Sequence, residues 1–571
     1  MDWTPASITR WLFDSERGPA GRLIPRWLFL RALGLIYFSA FFSLVFQIRG
    51  LIGPNGILPA KDYLQAVAEQ VGFWRHWYAP SLFWFSSGSH MLMWTCWIGM
   101  AAAVLLVLNF WPRGMLVICF VCFLSFVSAA GEFSGYQSDG MLLEAGFLSL
   151  FFAPGGFWPA WGMARPPVRA SWLLLLFEWF RIYFESGIAK MASHDPEWRD
   201  FTAMDEYYQN GPLPTWIGWH VQHFPHWFHA AITFATLALE LGLIWTAFLP
   251  RRFRIALFFI VTAWQIGIIL TANYTFLNYL VLVLAVLLLD DKFLVRIVPR
   301  RWRWKFPPSE EGGYRGTAPA EETRPIGADA LSILKADASA TDTAAAGTLA
   351  AQASSARDER NSLRRWLAAL RISLTAVMLA WIFYATTVQM IWMIWPGTPL
   401  PTLPVVALDP FRIANRYGLF AVMTRGRYEI EFQGSEDGQK WIAYPFRYKP
   451  QELNKAPGIY APYQPRFDWN LWFASLAGWR DNPFVLRAER RLLSNDPDVL
   501  TLFAANPFRQ RPPRQVRAVI WQYWFTTPEE RRANGEWWRR EYLGLYAPAI
   551  ALEADGRISV TQWPTAMEPR E

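Results

Sequence analysis

The stretch RIYFESGIAKMASHDPEWRDFTAMDEYYQNGPLP, Arg181 to Pro214, follows directly on an apolar run, Ser171–Phe180. Its first charged residues therefore lie in or at the edge of a predicted membrane helix. A charge in that position costs about 2.5–3.5 kcal/mol on insertion scales, so such side chains usually face a partner or a cavity. Glu178, Arg181 and Glu185 stand at i, i+3 and i+7 and share one helix face.

We interpret this charged face first as a paired ion cluster that fixes helix packing, because buried pairs are more often structural than catalytic. Lys190, at the expected helix end, would extend its ammonium to the membrane interface. Glu144 lies inside another apolar run. A pair between Glu144 and Arg181 across two helices would satisfy both charges.

The composition is typical of a polytopic α-helical membrane protein. Of 571 residues, 53% are hydrophobic, only 18% are charged, and 34 are Trp. Trp and Tyr concentrate at membrane interfaces, so membrane lipid is an expected partner. The formal charge of +8 does not call for nucleic acid, because arginines on cytoplasmic loops give the same excess.

Cysteines and histidines give no sign of a metal or cofactor. Cys96, Cys119 and Cys122 all fall in apolar segments, so we predict packing residues and no disulfide framework. Four histidines recur every third residue in WHVQHFPHWFH, namely His220, His223, His226 and His229. Metal binding is conceivable for such a series. Carboxylates are missing nearby in the sequence, so interface histidines at a helix start are the favoured interpretation.

Hydropathy predicts about nine membrane spans. Eight lie in a helical domain over residues 1–305, and the last lies in residues 362–394. The spans are 27–48, 91–111, 115–130, 141–154, 171–188, 229–249, 253–270, 276–289 and 372–394. The fourth is short for a full crossing. Residues 306–361 are rich in Ala, Thr, Ser, Glu and Asp, so they are predicted to form a disordered linker.

Positive charge fixes the predicted orientation. Clusters of arginine and lysine precede the first span, follow the second, fourth, sixth and eighth, and precede the ninth. The positive-inside rule then gives a cytoplasmic N-terminus. An odd number of spans puts residues 395–571 outside the cytoplasm, unless the fourth segment is re-entrant.

Residues 395–571 are predicted to form a β-rich, sandwich-like soluble domain. An alternating run, Arg427–Phe432, leads to the turn sequence GSEDG, and Lys440–Tyr448 alternates again. Gln515–Phe525 and Glu536–Tyr546 are further strand candidates, and a helical insert is expected around Trp469–Leu502.

Five residues of this domain are candidates for contact with a partner protein. Arg466, Asp468 and Trp469 stand together in PRFDW, where they either anchor a chain segment or form a binding surface. Trp537 and Trp538 alternate across a predicted strand, so one of them should face outward. Exposed Trp is a frequent hot-spot residue.

Several long motifs resemble the lipase maturation factor family over nearly the full length outside the linker. In the membrane region they are GYQSDGMLLEAGFLSLFFAP (135–154) and SGIAKMASHDPEWRDFTAMDEYYQNGPLP (186–214). In the soluble region they are FRIANRYGLFAVMTRGRYEIEFQGSEDGQKW (411–441), PYQPRFDWNLWFASL (462–476) and NPFRQRPPRQVRAVIWQYWFTTPEERRANGEWWRREYLGLYAP (506–548). Tyr463 stands where the family pattern has His.

This resemblance implies a membrane protein that helps secreted dimeric lipases to fold, with its C-terminal domain in the secretory compartment. In a bacterium the equivalent placement is the inner membrane, with that domain in the periplasm. We therefore expect a non-enzymatic maturation factor whose β-rich domain engages a secreted client.

YFESGIAKMASHDPEW (183–198) also resembles a helix-end segment of vitamin K-dependent γ-carboxylase, and the catalytic lysine of that family aligns with Lys190. The alternative function is thus an intramembrane enzyme with Lys190 as base and Glu185, Arg181 and Glu144 around a cavity. A transporter is less favoured, because the hydropathy pattern has no internal repeat.

Overall fold

The computed structural model describes residues 4–13, 21–163, 165–305, 340–553 and 555–565. Apolar helices pack into one bundle in the first half of the chain, and a last helix joins them after residue 340. They are α1 (Leu23–Val45), α2 (Ser89–Val107), α3 (Pro112–Val127), α4 (Gln137–Phe152), α5 (Arg169–Ala192), α6 (His226–Leu237), α7 (Arg251–Thr271), α8 (Leu277–Ala285) and α9 (Ala340–Ile394). Shorter helices lie at the ends of the bundle, at Pro5–Phe13, Ile48–Ile52, Ala60–Val71, Trp216–Gln222 and Asp291–Ile297.

Among the residues that the structure describes, five helices are long and apolar enough to cross a membrane. They are α1, α2, α7, the segment Ala369–Ile394 of α9, and α6 with its continuation to Phe248. The continuation of α6 includes a π turn, Ala238–Gly242, which leads into a 3₁₀ segment. Pro112–Val127 and Leu277–Leu288 are shorter apolar helices. Lengths of about 20 apolar residues suit an integral membrane protein.

Helix α4 runs from one end of the bundle to the other. At its start, Gln137 Oε1 accepts a hydrogen bond from the Gly418 N–H of the C-terminal region at 3.0 Å. Just beyond its end, the Ala153 carbonyl accepts from Arg113 Nε, in the first turn of α3, at 2.8 Å. Although α4 has only 16 residues, it therefore connects the end that carries the C-terminal domain with the opposite end.

Helix α9 begins at Ala340, well before the predicted ninth span. It includes residues 340–361, which the composition assigned to a disordered linker. This part is rich in Ala, the strongest helix former, so a helix needs little burial to form there. The rest of the predicted linker, residues 306–339, lies outside the described residues.

The C-terminal domain is built on an antiparallel sheet. Its strands are β1 (Arg427–Ser435), β2 (Ile442–Ala443), β3 (Gln515–Phe525), β4 (Trp538–Leu545), β5 (Ala549–Leu552) and β6 (Ile558–Gln562). The order is β2-β1-β3-β5-β6, and β4 pairs with the second half of β3. The predicted strands at 427–432 and 515–525 are present, whereas only two residues of the predicted run 440–448 pair.

A helical layer takes the place of the second sheet of the predicted sandwich. Helices α10 (Arg466–Ser475) and α11 (Pro483–Leu493) pack on β1 and β3. Phe484, Val485, Ala488 and Leu492 of α11 are buried at helical spacing, which gives the helix an apolar face toward the sheet. The described strands thus form one sheet with helices on it.

The hydrophobic core continues from the bundle into the C-terminal domain. Buried residues in continuous contact include Leu33 in α1, Tyr417 at the junction and Val516 in β3. Because one continuous hydrophobic cluster spans both parts, the domain is packed against the bundle.

Candidate functional site at the junction of bundle and domain

Residues 413–424, here called the docking segment, cross the bundle end where α4 begins and α5 ends. The segment has neither helix nor strand structure, so its backbone N–H and C=O groups need other partners. Polar side chains of the bundle supply them. Gln389 of α9 donates to the Ala414 carbonyl at 3.0 Å, and Asn210 Nδ2 donates to the Thr424 carbonyl at 2.7 Å.

A buried charge cluster holds the first part of the docking segment. Arg181 forms an ion pair with Glu144 across α5 and α4, as the sequence predicts, and its Nη1 lies 3.7 Å from Glu185 Oε1. All three side chains are buried. The Asn415 carbonyl accepts from Arg181 Nη1 at 2.6 Å, so the guanidinium also binds the docking segment.

The two carboxylates of the cluster accept hydrogen bonds from the same segment. Glu144 Oε2 accepts from the Asn415 N–H and from the Tyr417 hydroxyl, each at 2.9 Å. Glu185 Oε2 accepts from the Tyr417 N–H at 2.7 Å. Charge-assisted hydrogen bonds of this kind are about twice as strong as neutral ones. The cluster therefore acts as an anchor for the chain that enters the C-terminal domain.

Lys190 continues this anchor one step further along the segment. Its Nζ lies 3.0 and 2.9 Å from the two carboxylate oxygens of Glu240, and it donates to the Leu419 carbonyl at 2.9 Å. Glu240 lies in the π turn of α6, and π turns often occur at functional positions. Lys190 is only 2% exposed, so it forms a buried ion pair instead of reaching the membrane interface.

Trp198 and Asp195 hold the end of the docking segment. The Trp198 indole donates to the Phe420 carbonyl at 3.1 Å, and Asp195 Oδ2 accepts from the Met423 N–H at 2.7 Å. Both residues belong to the loop that follows α5, within the stretch from Arg181 to Pro214. That stretch thus supplies most of the side chains that bind the docking segment.

A second anchor joins α4 to α10. Arg466 donates to both carboxylate oxygens of Asp139, at 2.7 and 2.8 Å, and to the Phe133 carbonyl at 2.8 Å. Both charged side chains are fully buried. A bidentate pair of this type fixes orientation as well as distance. This geometry corrects the prediction of a client contact, because Arg466 faces the bundle and not solvent.

Residues 460–466 dock beside this pair on the ends of α1 and α7. Asn273 Oδ1 accepts from the N–H groups of Tyr460 and Ala461, at 2.6 and 3.0 Å. Gln47 accepts from the Arg466 N–H at 2.8 Å and donates to the Tyr463 hydroxyl at 3.2 Å. Tyr463, the departure from the family pattern, is therefore part of the docking contact.

The other predicted client contacts are buried to different degrees. Asp468 accepts from the N–H groups of Tyr448 and Lys449. Burial raises the pKa of its carboxyl to about 6, although the Lys449 N–H stabilises the charged form. Trp538 is buried against Phe525, with ring centroids 4.6 Å apart. The prediction that Asp468 and Trp538 contact a client is therefore corrected, because both residues lie in the core of the domain.

Trp537 and Trp469 differ in their exposure to solvent. Trp537 is half-buried, and the Arg531 guanidinium lies 3.6 Å from its ring centroid, which is a cation–π contact. Trp469 is buried but lines a cavity of about 580 Å³, here called the junction cavity. The cavity lies between the starts of α4 and α8, the docking segment and α10. Lys190 does not line it.

The histidines and cysteines do not converge on a metal site. His223 Nδ1 and Nε2 lie 2.7 and 3.1 Å from the carbonyls of Trp219 and Thr526, and His226 faces Asp205. Within the described residues, no three His, Cys, Asp or Glu side chains are grouped for a metal ion. The three cysteines are free and buried.

Sequence reasoning found the charged side chains but missed what they bind. The docking segment lies inside the motif FRIANRYGLFAVMTRGRYEIEFQGSEDGQKW (411–441), yet most of its contribution comes from backbone groups, which leave no mark in a residue pattern. Polar residues at helix ends, such as Ser43, Gln47 and Asn273, were the available signal. Each of them bonds a backbone group of residues 460–466.

Comparison with known proteins accounts for this architecture. Residues 24–296 match the family model described as lipase maturation factor transmembrane domain, and residues 413–548 match lipase maturation factor C-terminal domain. The second match begins where the docking segment begins. No solved structure matches the chain.

Curated relatives match along nearly the whole chain. Lipase maturation factor 2 of Homo sapiens is 31% identical over 598 residues, which cover 93% of this chain and 83% of the relative. Lipase maturation factor 1 of Bos taurus is 30% identical over 566 residues, 95% of this chain and 91% of the relative. Lipase maturation factor 2 of Gallus gallus is 30% identical over 608 residues, with shares of 92% and 81%. The chain, an integral membrane protein, therefore belongs to the lipase maturation factor family.

Proposed function

We propose that this protein is a membrane-anchored maturation factor for a secreted, lipase-like client, and that its C-terminal domain engages the client outside the cytoplasm. The observation that carries this proposal is the match to lipase maturation factors over more than nine-tenths of the chain. The C-terminal domain also sits at one end of the bundle only, so it can reach a client on one side of the membrane.

We further propose nine membrane crossings with a cytoplasmic N-terminus. The bundle end away from the C-terminal domain carries many of the arginines, among them Arg113, Arg165, Arg252, Arg296 and Arg371. Arginine-rich loops stay in the cytoplasm. This supports a C-terminal domain in the secretory compartment, which is the periplasm if the protein resides in a bacterial inner membrane.

The client surface that we propose is the sheet edge formed by β6. Strand β6 is the last in the sheet order and is paired on one side with β5. Around it Leu552, Ile558, Val560 and Trp563 are exposed apolar side chains. An exposed apolar edge strand is a template for an extended segment of another chain, as in β-strand addition. An incompletely folded lipase would offer such segments.

The intramembrane enzyme is less supported by the geometry. Lys190 Nζ is surrounded by the carboxylate of Glu240 and the Leu419 carbonyl, so a substrate would have to displace these contacts. Arg181, Glu185 and Glu144 are likewise occupied by the docking segment. Structural anchoring accounts for all four residues.

Photo-crosslinking in living cells tests the client proposal. A photoreactive amino acid that replaces Val560 should capture a secreted protein. The same photoreactive amino acid in place of the exposed Glu541 on β4 serves as the matched control. Deletion of the gene should lower the activity of the captured protein in the secreted fraction but not its synthesis. Capture of the same proteins at both positions, or unchanged secreted activity after deletion, would contradict the proposal.

A further inference from the structure

The junction cavity lies at the end of the helix bundle that carries the C-terminal domain. Tyr274 and Thr275, in the turn between α7 and α8, form part of its wall together with Leu277 of α8. On the opposite side the wall is formed by α10 of the soluble domain. The cavity is therefore bounded by helices of the bundle on one side and by the C-terminal domain on the other.

Its size and lining suit a small apolar ligand. A volume of about 580 Å³ is within the range of about 300–1,000 Å³ that is usual for ligand pockets. The wall is mostly aliphatic and aromatic, with Leu277, Leu419, Phe420, Trp469, Trp472 and Phe484. Pockets of this type bind through apolar contact, and a few polar groups fix the orientation of the ligand.

Charge narrows the ligand class. Glu132 and Asp481 are the charged side chains that line the cavity, and among these described lining residues there is no Lys, Arg or His. An anionic ligand would face these two carboxylates with no cation among the described lining residues, which is unfavourable by Coulomb's law. The amides of Gln137 and Asn482, also in the wall, are neutral groups that suit hydroxyl and ester oxygens.

Two further features distinguish this cavity from a packing defect. Val422, Phe473 and Leu476 line it and are themselves exposed, so an apolar surface continues from the interior to the outside. Phe420 and Thr275, both in the wall, have φ angles of 56° and 54°. Residues with a side chain rarely adopt this left-handed backbone, and such conformations cluster at ligand sites.

We propose that the junction cavity binds the acyl chain of a neutral, glycerol-based lipid. The chain would lie against the aromatic wall, and the uncharged glycerol end would face the amides. This site is independent of the client surface at β6, so either proposal can fail without the other. Insertion of an apolar client segment into the cavity is the competing outcome.

Binding of tritiated 1-monooleoylglycerol to the purified, delipidated full chain in detergent tests the site. Ala421→Phe places a ring in the cavity wall, and Ala407→Phe, a half-buried alanine outside the cavity, is the matched control. We expect saturable binding by the unaltered chain and by Ala407→Phe, and about tenfold weaker binding by Ala421→Phe. Val422→Trp, at an exposed position of the wall, should weaken binding as well, which covers the case that Ala421→Phe does not fold.

Charge selectivity provides a second readout. Oleate at pH 8 should bind about tenfold more weakly than 1-monooleoylglycerol, and Asp481→Asn should narrow that difference. Equal binding by Ala421→Phe, by Val422→Trp and by the unaltered chain would overturn the proposal. Oleate binding as tight as that of the glyceride would overturn it too, as would binding of apolar peptides to a chain that does not bind the glyceride.

Discussion

Replacing Glu144 with Gln removes the ion-pair partner of Arg181 in the buried cluster. Breaking a buried pair by removing one partner costs about 3–5 kcal/mol. Arg181 keeps Glu185 at 3.7 Å and the Asn415 carbonyl at 2.6 Å, so we expect a loss near the lower limit, about 3 kcal/mol. Arg181→Gln leaves Glu144 with donors from Asn415 and Tyr417, and its loss should be similar.

The double variant Glu144→Gln/Arg181→Gln should lose less than the sum of the two single losses. Residues in direct contact show coupling energies of about 0.5–3 kcal/mol, and for this buried pair we expect about 2 kcal/mol. Denaturant unfolding of the purified protein in detergent, followed by Trp fluorescence, measures all four proteins of the cycle. A matched cycle on the exposed pair Glu529 and Arg532 should give a coupling below about 1 kcal/mol. Strictly additive losses at Glu144 and Arg181 would refute the pairing argument.

Three further predictions concern the anchors and the client surface. Arg466→Met leaves Asp139 as a buried, unpaired charge, so protease should cleave near residue 460 faster than in the unaltered protein. Arg466→Met combined with Asp139→Leu should recover part of the protection, and unchanged cleavage of Arg466→Met would contradict the anchor. Lys190→Met should destabilise the protein by about 2–4 kcal/mol because Glu240 loses its cation. The double variant Lys190→Met/Glu240→Met should restore both stability and client maturation, whereas a double variant that folds but does not mature the client would favour catalysis by Lys190. Val560→Asp should reduce capture of the client several-fold without lowering the unfolding midpoint, and an unchanged capture would remove β6 as the contact surface.

The charges of the bundle were predictable because their pattern follows directly from helix geometry. Arg181 and Glu185 fall on one face at helical spacing, and Glu144 is a lone acid in an apolar run, so their pairing follows from the cost of a bare charge in lipid. The same reasoning could not give the docking segment. Most of its bonds are made by main-chain atoms of residues such as Asn415 and Tyr417, and these depend on the tertiary arrangement.

The roles of Arg466 and Trp538 could not be predicted from sequence patterns in the C-terminal domain. Both residues looked like candidates for recognition, since Arg and Trp are frequent in interfaces. Arg466 is buried against Asp139 of α4, 327 residues away in the sequence, and Trp538 is buried against Phe525 of the neighbouring strand β3. The sandwich was likewise inferred from strand patterns alone, whereas the apolar face of α11 takes the place of a second sheet. The client surface that we propose was not among the sequence candidates, because its residues, such as Val560, lie in the short strand β6 near the C-terminus.

Sidedness of the C-terminal domain is the most direct test of the account. A cysteine at the exposed Thr561, in β6, can be labelled selectively with a membrane-impermeant maleimide in intact cells, because the native cysteines are buried. A cysteine at the exposed Arg252, at the arginine-rich end, is the control and should react only after the membrane is opened. Labelling of Thr561→Cys in intact cells is the predicted result. Protection of Thr561→Cys until lysis would contradict the proposed orientation and the maturation of a secreted client with it.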